Sequence, residues 1–248
     1  MPPLDRPALK RRAQELMLTT RPRVITVGLV YLLLCIALEF LRSNVMSVNI
    51  SQTEAMNYIN YVSQGNYEYA MRYLEGMAPP TGAYGIDLLL SLAVSIVTVG
   101  FLIFLLNSAR GKAAGYGNLL DGFGFFWKII LLDLVKGLLI GLWSLLLVVP
   151  GIVAAYRYSQ AQYILIDDPT KSPLQCIRES KAMMNGHKRE LFHLDLSFIG
   201  WYLLSLIPLI SYAVRVWAVP YVYMSRTLFY ERLLGRNVYS YSEPTYPM

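Results

Sequence analysis

The sequence predicts an all-α fold: a polytopic membrane helix bundle of about six transmembrane helices, with both termini on the cytoplasmic side. Three observations predict it. Of 248 residues, 55% are hydrophobic and only 15% charged, against ~25% charged in soluble domains, and the mean hydropathy is +0.41. Apolar runs recur at close to the ~17–25 residues that a ~30 Å hydrocarbon core requires. Seventeen of the 22 basic residues fall on one side of those runs, as cytoplasmic segments should. The composition argues against a water-soluble enzyme and against disorder. Two cysteines, Cys35 and Cys176, exclude a disulfide scaffold.

Residues 1–23 form a basic N-terminal segment carrying Arg6, Lys10, Arg11, Arg12, Arg21 and Arg23. The first apolar run is long and lacks a small-residue cleavage site, so it reads as a retained span. A single transmembrane domain, 24–236, then holds spans near 24–41, 86–106, 129–149, 152–166, 191–207 and 212–229. Pro150-Gly151 separates the third from the fourth, and Pro208-Leu209-Ile210-Ser211 the fifth from the sixth. Proline and glycine punctuate helices, so each pair is predicted to be a tight hairpin. The fourth span is short, about 22 Å at 1.5 Å per residue. It carries Arg157, Ser159, Gln160 and Gln162, which suits a helix shielded by its neighbours.

Residues 42–85 are the long external connection. Ala55, Met56, Ile59 and Val62, then Tyr67, Ala70, Met71 and Leu74, recur at helical spacing, which predicts two amphipathic helices. Their tyrosines suit the headgroup level. Asn49-Ile50-Ser51 matches a glycosylation acceptor. On the cytoplasmic side, Ser172-Pro173 starts a helix running to about Asn185. This helix and Ala8–Met17 combine basic and apolar residues, and both are expected at the interface, attracting anionic lipid headgroups. The basic clusters are small and explained by topology, so nucleic acid is not an expected partner. The tail 237–248 is predicted to be disordered.

Ionisable residues inside spans are costly and raise a functional hypothesis. Asp133, Lys136, Arg157, Asp195 and Arg215 fall in one band from the inner leaflet to the midplane. In one reading the buried carboxylates Asp133 and Asp195 neutralise two of the three cations and hold the bundle in register. In the other, a polar cavity uses Arg157 and Arg215 as forked donors to a phosphate or carboxylate, with Lys136, Gln160, Tyr156 and Tyr163 around it. Gly137-x-x-x-Gly141 is expected to let another helix approach. No HExxH, GxSxG, Walker loop or metal-spaced cysteine pair is present. No catalytic residue, metal or cofactor is therefore expected.

From Leu145 to about Leu233 the chain resembles the bacterial domain-of-unknown-function 975 family of integral membrane proteins. Pro150-Gly151-Ile152, Tyr158-Ser159, Tyr163-Ile164-Leu165, Asp168-Pro169, Ser180-Lys181, Gly186-His187-Lys188, Leu196-Ser197-Phe198-Ile199-Gly200-Trp201 and Pro220-Tyr221 carry the resemblance. It implies a multi-pass protein of the bacterial plasma membrane and transfers no activity. The expected role is non-enzymatic, organising or assisting other membrane components, with membrane lipids and a membrane protein as partners. The alternative is a carrier or binder of a lipid or other anionic small molecule through Arg157 and Arg215.

Overall fold

The computed structural model describes residues 3–47, 52–76 and 78–239. The Asn49-Ile50-Ser51 acceptor and the tail from 240 onward lie outside the described residues. The fold is all-helical, with no strand among the described residues. Two compact units are present: residues 34–94, and residues 1–33 together with 95–248.

The helices run in order as α1 (Arg6–Thr19), α2 (Val24–Met46), α3 (Gln52–Ser63), α4 (Tyr67–Gly76), α5 (Thr81–Ala109) and α6 (Asn118–Asp121). A 3-10 turn, Gly122–Phe125, joins α6 to α7 (Phe126–Leu146). Then come α8 (Val148–Arg157), α9 (Ala161–Asp167), α10 (Pro173–Met183), α11 (Lys188–Leu196), α12 (Ile199–Leu204) and α13 (Pro208–Leu233). Among the described residues, three stretches are long and apolar enough to cross a membrane: α2, α5 and the run from Asn118 to Leu146. At 26 residues α13 is long enough at about 39 Å. Arg215, Arg226 and several tyrosines make it less apolar.

The expected fourth and fifth spans are each two short helices. Residues 152–166 break between α8 and α9, and 191–207 break between α11 and α12. The hairpin turns also fall earlier than the prolines. Leu147, with φ −164° and ψ 151°, separates α7 from α8, so Pro150-Gly151 lies in the first turn of α8. Pro208 occupies the first turn of α13 after Ile207. Proline is tolerated in a helix's first turn, where its missing N–H leaves nothing unpaired. A proline after an apolar run therefore marks the next helix's start as readily as a turn.

Within unit 34–94, Arg42 of α2 pairs with Asp87 of α5, and Tyr61 of α3 stacks on Tyr69 of α4. In the larger unit, Tyr31 of α2 stacks on Phe101 of α5 at 4.6 Å, and Tyr223 of α13 meets both edge-on. Pairs of this kind contribute about 0.5–1.5 kcal/mol beyond area burial. Gly100 permits a close crossing, since a Cβ there would lie 2.2 Å from the Leu119 carbonyl oxygen. Gly137 and Gly141 have nothing within 4 Å, so among the described residues no other helix packs against the small-residue face of α7.

The two segments expected at the interface bury much of their apolar faces in protein. Asp5 caps α1 by accepting from the Ala8 N–H at 3.0 Å. Leu9, Ala13, Leu16 and Met17 of α1 are buried, and the helix packs on α13. Ser172 caps α10, whose Cys176 and Ile177 are buried, while Leu174 stays exposed. Burial pushes the Cys176 thiol up, away from the thiolate that reactivity needs. Val238, in the tail expected to be disordered, is buried.

Candidate functional site

The break between α8 and α9 frees backbone groups that must find partners. Ser159 starts it locally: its Oγ donates to the Tyr156 carbonyl at 2.9 Å, the competition with helical bonding that short hydroxyl side chains provide. Ser180 of α10, fully buried, completes it. Its Oγ donates to the Arg157 carbonyl at 2.9 Å and accepts from the Gln160 N–H at 3.1 Å. One hydroxyl thus satisfies both sides of the interruption. Irregular backbone of this kind must be paired within the protein or line a cavity.

Here it lines a cavity. A space of about 400 Å³ is bounded by Leu102 of α5, Lys136 and Ile140 of α7, the break itself, Leu191 and Asp195 of α11, and Tyr223 and Arg226 of α13. The break contributes Tyr156, Ser159, Gln160, Gln162 and Tyr163. Two ion pairs stand at its wall. Lys136 meets Asp133 at 2.9 Å, while Ser95 and Gln162 donate to the same carboxylate. Arg226 grips Asp195 through two bonds, of 2.9 and 2.8 Å. Each cation is matched, so the wall is close to neutral.

Gln160 is the exception to this matching. It is 2% exposed, and its Oε1 has no hydrogen-bond partner. Its Nε2 donates to Ser159 Oγ at 2.9 Å. The Ser159 proton is already committed to the Tyr156 carbonyl, so that oxygen only accepts. The amide must therefore present nitrogen to Ser159, which leaves the carbonyl oxygen as the orphan. A buried acceptor without a donor costs about 1–3 kcal/mol, and a bound donor removes that cost.

Of the residues the sequence singles out, Lys136, Tyr156, Gln160, Tyr163 and Asp195 line this cavity, with Asp133 bonded behind Lys136. Arg157 instead lines a separate hollow of about 70 Å³ beside Trp143 and Pro150. Arg215 is exposed and lines neither of these two. Neither of these two spaces brings together the two arginines expected to grip one anion. Arg226 is the arginine that reaches the site. It lies eleven residues beyond Arg215, three helical turns along the same face, and sequence position alone assigned it to the boundary. Ser180 and Ser95 carried no signal, because their roles depend on contacts across helices.

Elsewhere the acidic turn Asp167-Asp168 is occupied by protein. Asp167 takes two bonds from Arg110 and one from the Tyr230 hydroxyl, and Asp168 accepts from Thr170. His187 pairs with Glu190, and His193 accepts from Arg189.

Residues 145–237 match the family described as "Protein of unknown function (DUF975)". The matched segment contains both helix breaks and most of the cavity lining. Leu102, Lys136 and Ile140 come from outside it. No curated protein and no solved structure matches the chain.

Proposed function

We propose that the chain is a multi-pass protein of a bacterial plasma membrane, with about six spans and both termini cytoplasmic, that binds the hydrogen-bond-donating head of an amphiphile. The topology is supported by the three long apolar helices and by the one-sided placement of basic residues. The binding reading rests on Gln160, which lines a cavity of about 400 Å³ and whose buried Oε1 has no hydrogen-bond partner. With both ion pairs matched, hydrogen bonding and not net charge selects the ligand. Apolar Leu102, Ile140 and Leu191 suit the acyl portion. Glycerol and ethanolamine heads donate hydrogen bonds; a choline head does not. The role is non-enzymatic, because Asp133 and Asp195 are both held by donors and neither is presented as a base.

The test is lipid retention. The chain is purified in neutral detergent, exposed to equal parts of phosphatidylethanolamine and phosphatidylcholine, and the retained lipid is counted by native mass spectrometry. Preference for ethanolamine, abolished by Gln160→Leu, is expected. Equal retention of the two heads by the natural chain overturns the binding reading.

A second reading, that the chain organises other membrane components, draws on the open Gly137 and Gly141 face of α7. It expects a stable protein partner after gentle extraction, lost on Gly141→Leu. Recovery of the chain alone counts against it.

A further inference from the structure

Away from the helix break, a hollow of about 310 Å³ opens where α1, the end of α5 and the end of α13 meet. It shares no lining residue with the cavity at the break. Arg12, Arg110, Lys112 and Arg236 face it, against one carboxylate, Glu231. The pairing around these cations is unequal. Arg12 meets Glu15 at 3.3 Å. Arg110 is held by Glu231 at 2.7 Å and by Asp167 at 2.7 Å, and Arg236 binds the second oxygen of Glu231. Among the described residues, these cations meet three carboxylates, Glu15, Asp167 and Glu231.

The cations are also presented differently. Arg110 spends one guanidinium edge on each carboxylate and serves as a fixed positive wall. Arg236 places one nitrogen on Glu231, and its side chain is 49% exposed, so further donors of its five point elsewhere. Lys112 is exposed and makes no ion pair with a described carboxylate. Its position is set by backbone: Gly111 takes φ 66°, and the Lys112 N–H donates to the Asn107 carbonyl at 2.9 Å. Donors therefore converge from three separate elements around a space of ligand size.

A planar carboxylate offers two oxygens, whereas a phosphate offers three or more in a tetrahedral arrangement that meets donors from three directions. Arginine forks and a lysine point charge are the usual partners of such a group. We propose that this hollow is a phosphate-binding site, taking the phosphate of an anionic phospholipid or of a soluble phosphate compound.

The experiment uses the full chain in nanodiscs. One arm measures inorganic phosphate binding by calorimetry in phosphatidylcholine discs. The other measures retention of phosphatidic acid added to those discs. The variant is Lys112→Gln with Arg236→Gln; glutamine keeps a donor toward Glu231, and both positions are solvent-facing. Lys112→Gln alone is a second variant, at a residue with no ion pair to lose. The natural chain should bind one probe, and the double variant should weaken it roughly tenfold, about 1.4 kcal/mol, with an unchanged thermal midpoint. Phosphatidic acid binding alone identifies a lipid source, and inorganic phosphate binding identifies a soluble one. Binding of neither probe by the natural chain, or binding by the double variant as tight as by the natural chain, overturns the proposal. Gln160→Leu should leave phosphate binding intact, so failure here is separable from failure at the cavity.

Discussion

Ser180 offers the sharpest test of how the broken helix is held. Replacing it with alanine removes one oxygen and leaves the Arg157 carbonyl and the Gln160 N–H without the partner that lies 2.9 and 3.1 Å away. Ser180 is 0% exposed, so water does not replace the hydroxyl cheaply. Each buried unsatisfied group costs about 1–3 kcal/mol, and the two together should cost about 3 kcal/mol after partial relaxation. For a chain of this size 1 kcal/mol corresponds to about 2–4 °C, so the midpoint should fall by roughly 6–12 °C. The control is Ser108→Ala. Ser108 is also buried, but its hydroxyl bonds only the Phe104 carbonyl in its own helix, a contact that adds little to a helix already bonded. The assay is thermal unfolding of the detergent-solubilised chain, with hydrogen exchange at the Gln160 amide as a local readout. A Ser180→Ala shift no larger than that of Ser108→Ala, with the Gln160 amide still protected, would refute the bridging role.

Gly100→Ala should destabilise by about 2–3 kcal/mol, because the added Cβ meets the Leu119 carbonyl oxygen at 2.2 Å. Gly137→Ala, with open space around it, should instead gain about 0.5–1 kcal/mol of helix propensity; equal midpoints for the two variants would contradict the crossing. Glu231→Gln should cost about 2–3 kcal/mol, less than the full loss of a buried pair, because Asp167 still holds Arg110; an unchanged midpoint argues that Glu231 is idle. The Lys171 ammonium holds the Glu179 carboxyl below its ordinary value of 4.5. A folded-state pKa below the unfolded one gives stability that is present above the unfolded value and lost as pH falls through the folded one. The midpoint difference between the natural chain and Lys171→Gln should therefore shrink below about pH 4.5. Screening keeps this pair under about 1 kcal/mol, and a difference constant through acid pH removes it.

The helical class and the three long apolar helices were legible in the sequence because each is a local property. A run such as Ile86–Leu106 announces its length and polarity without reference to anything else. The helix start at Ser172-Pro173 was legible for the same reason, since a cap acts within four residues; the Asp5 cap of α1 is seen only in the structure. The breaks at Tyr158–Gln160 and Ser197–Phe198 were not. Their residues include serines that only weakly oppose a helix, and what permits the breaks is a partner elsewhere: Ser180 for the first, Lys10 for the second. Lys10 Nζ donates to the Ser197 carbonyl at 3.3 Å and stands 4.3 Å over the Phe198 ring. The sequence reading counted Lys10 only as one of the cytoplasmic charges.

The distribution of these interruptions bears on where function resides. The three helical stretches long and apolar enough to cross a membrane lie almost wholly before residue 147. The two breaks, and Pro220 inside α13, lie within residues 145–237. Each of these three has a fitted partner. Ser180 bridges the first, Lys10 the second, and Gly28 makes room for the third, since a Cβ there would sit 2.4 Å from Pro220 Cγ. Unbroken helices would satisfy the backbone without any of these devices, so their cost is offset by something the breaks make possible. Where α5 and α7 meet the interrupted helices, the result is a cavity with two matched ion pairs and one unmatched acceptor. Filling an apolar bundle needs neither, and packing alone leaves Gln160 Oε1 without a donor.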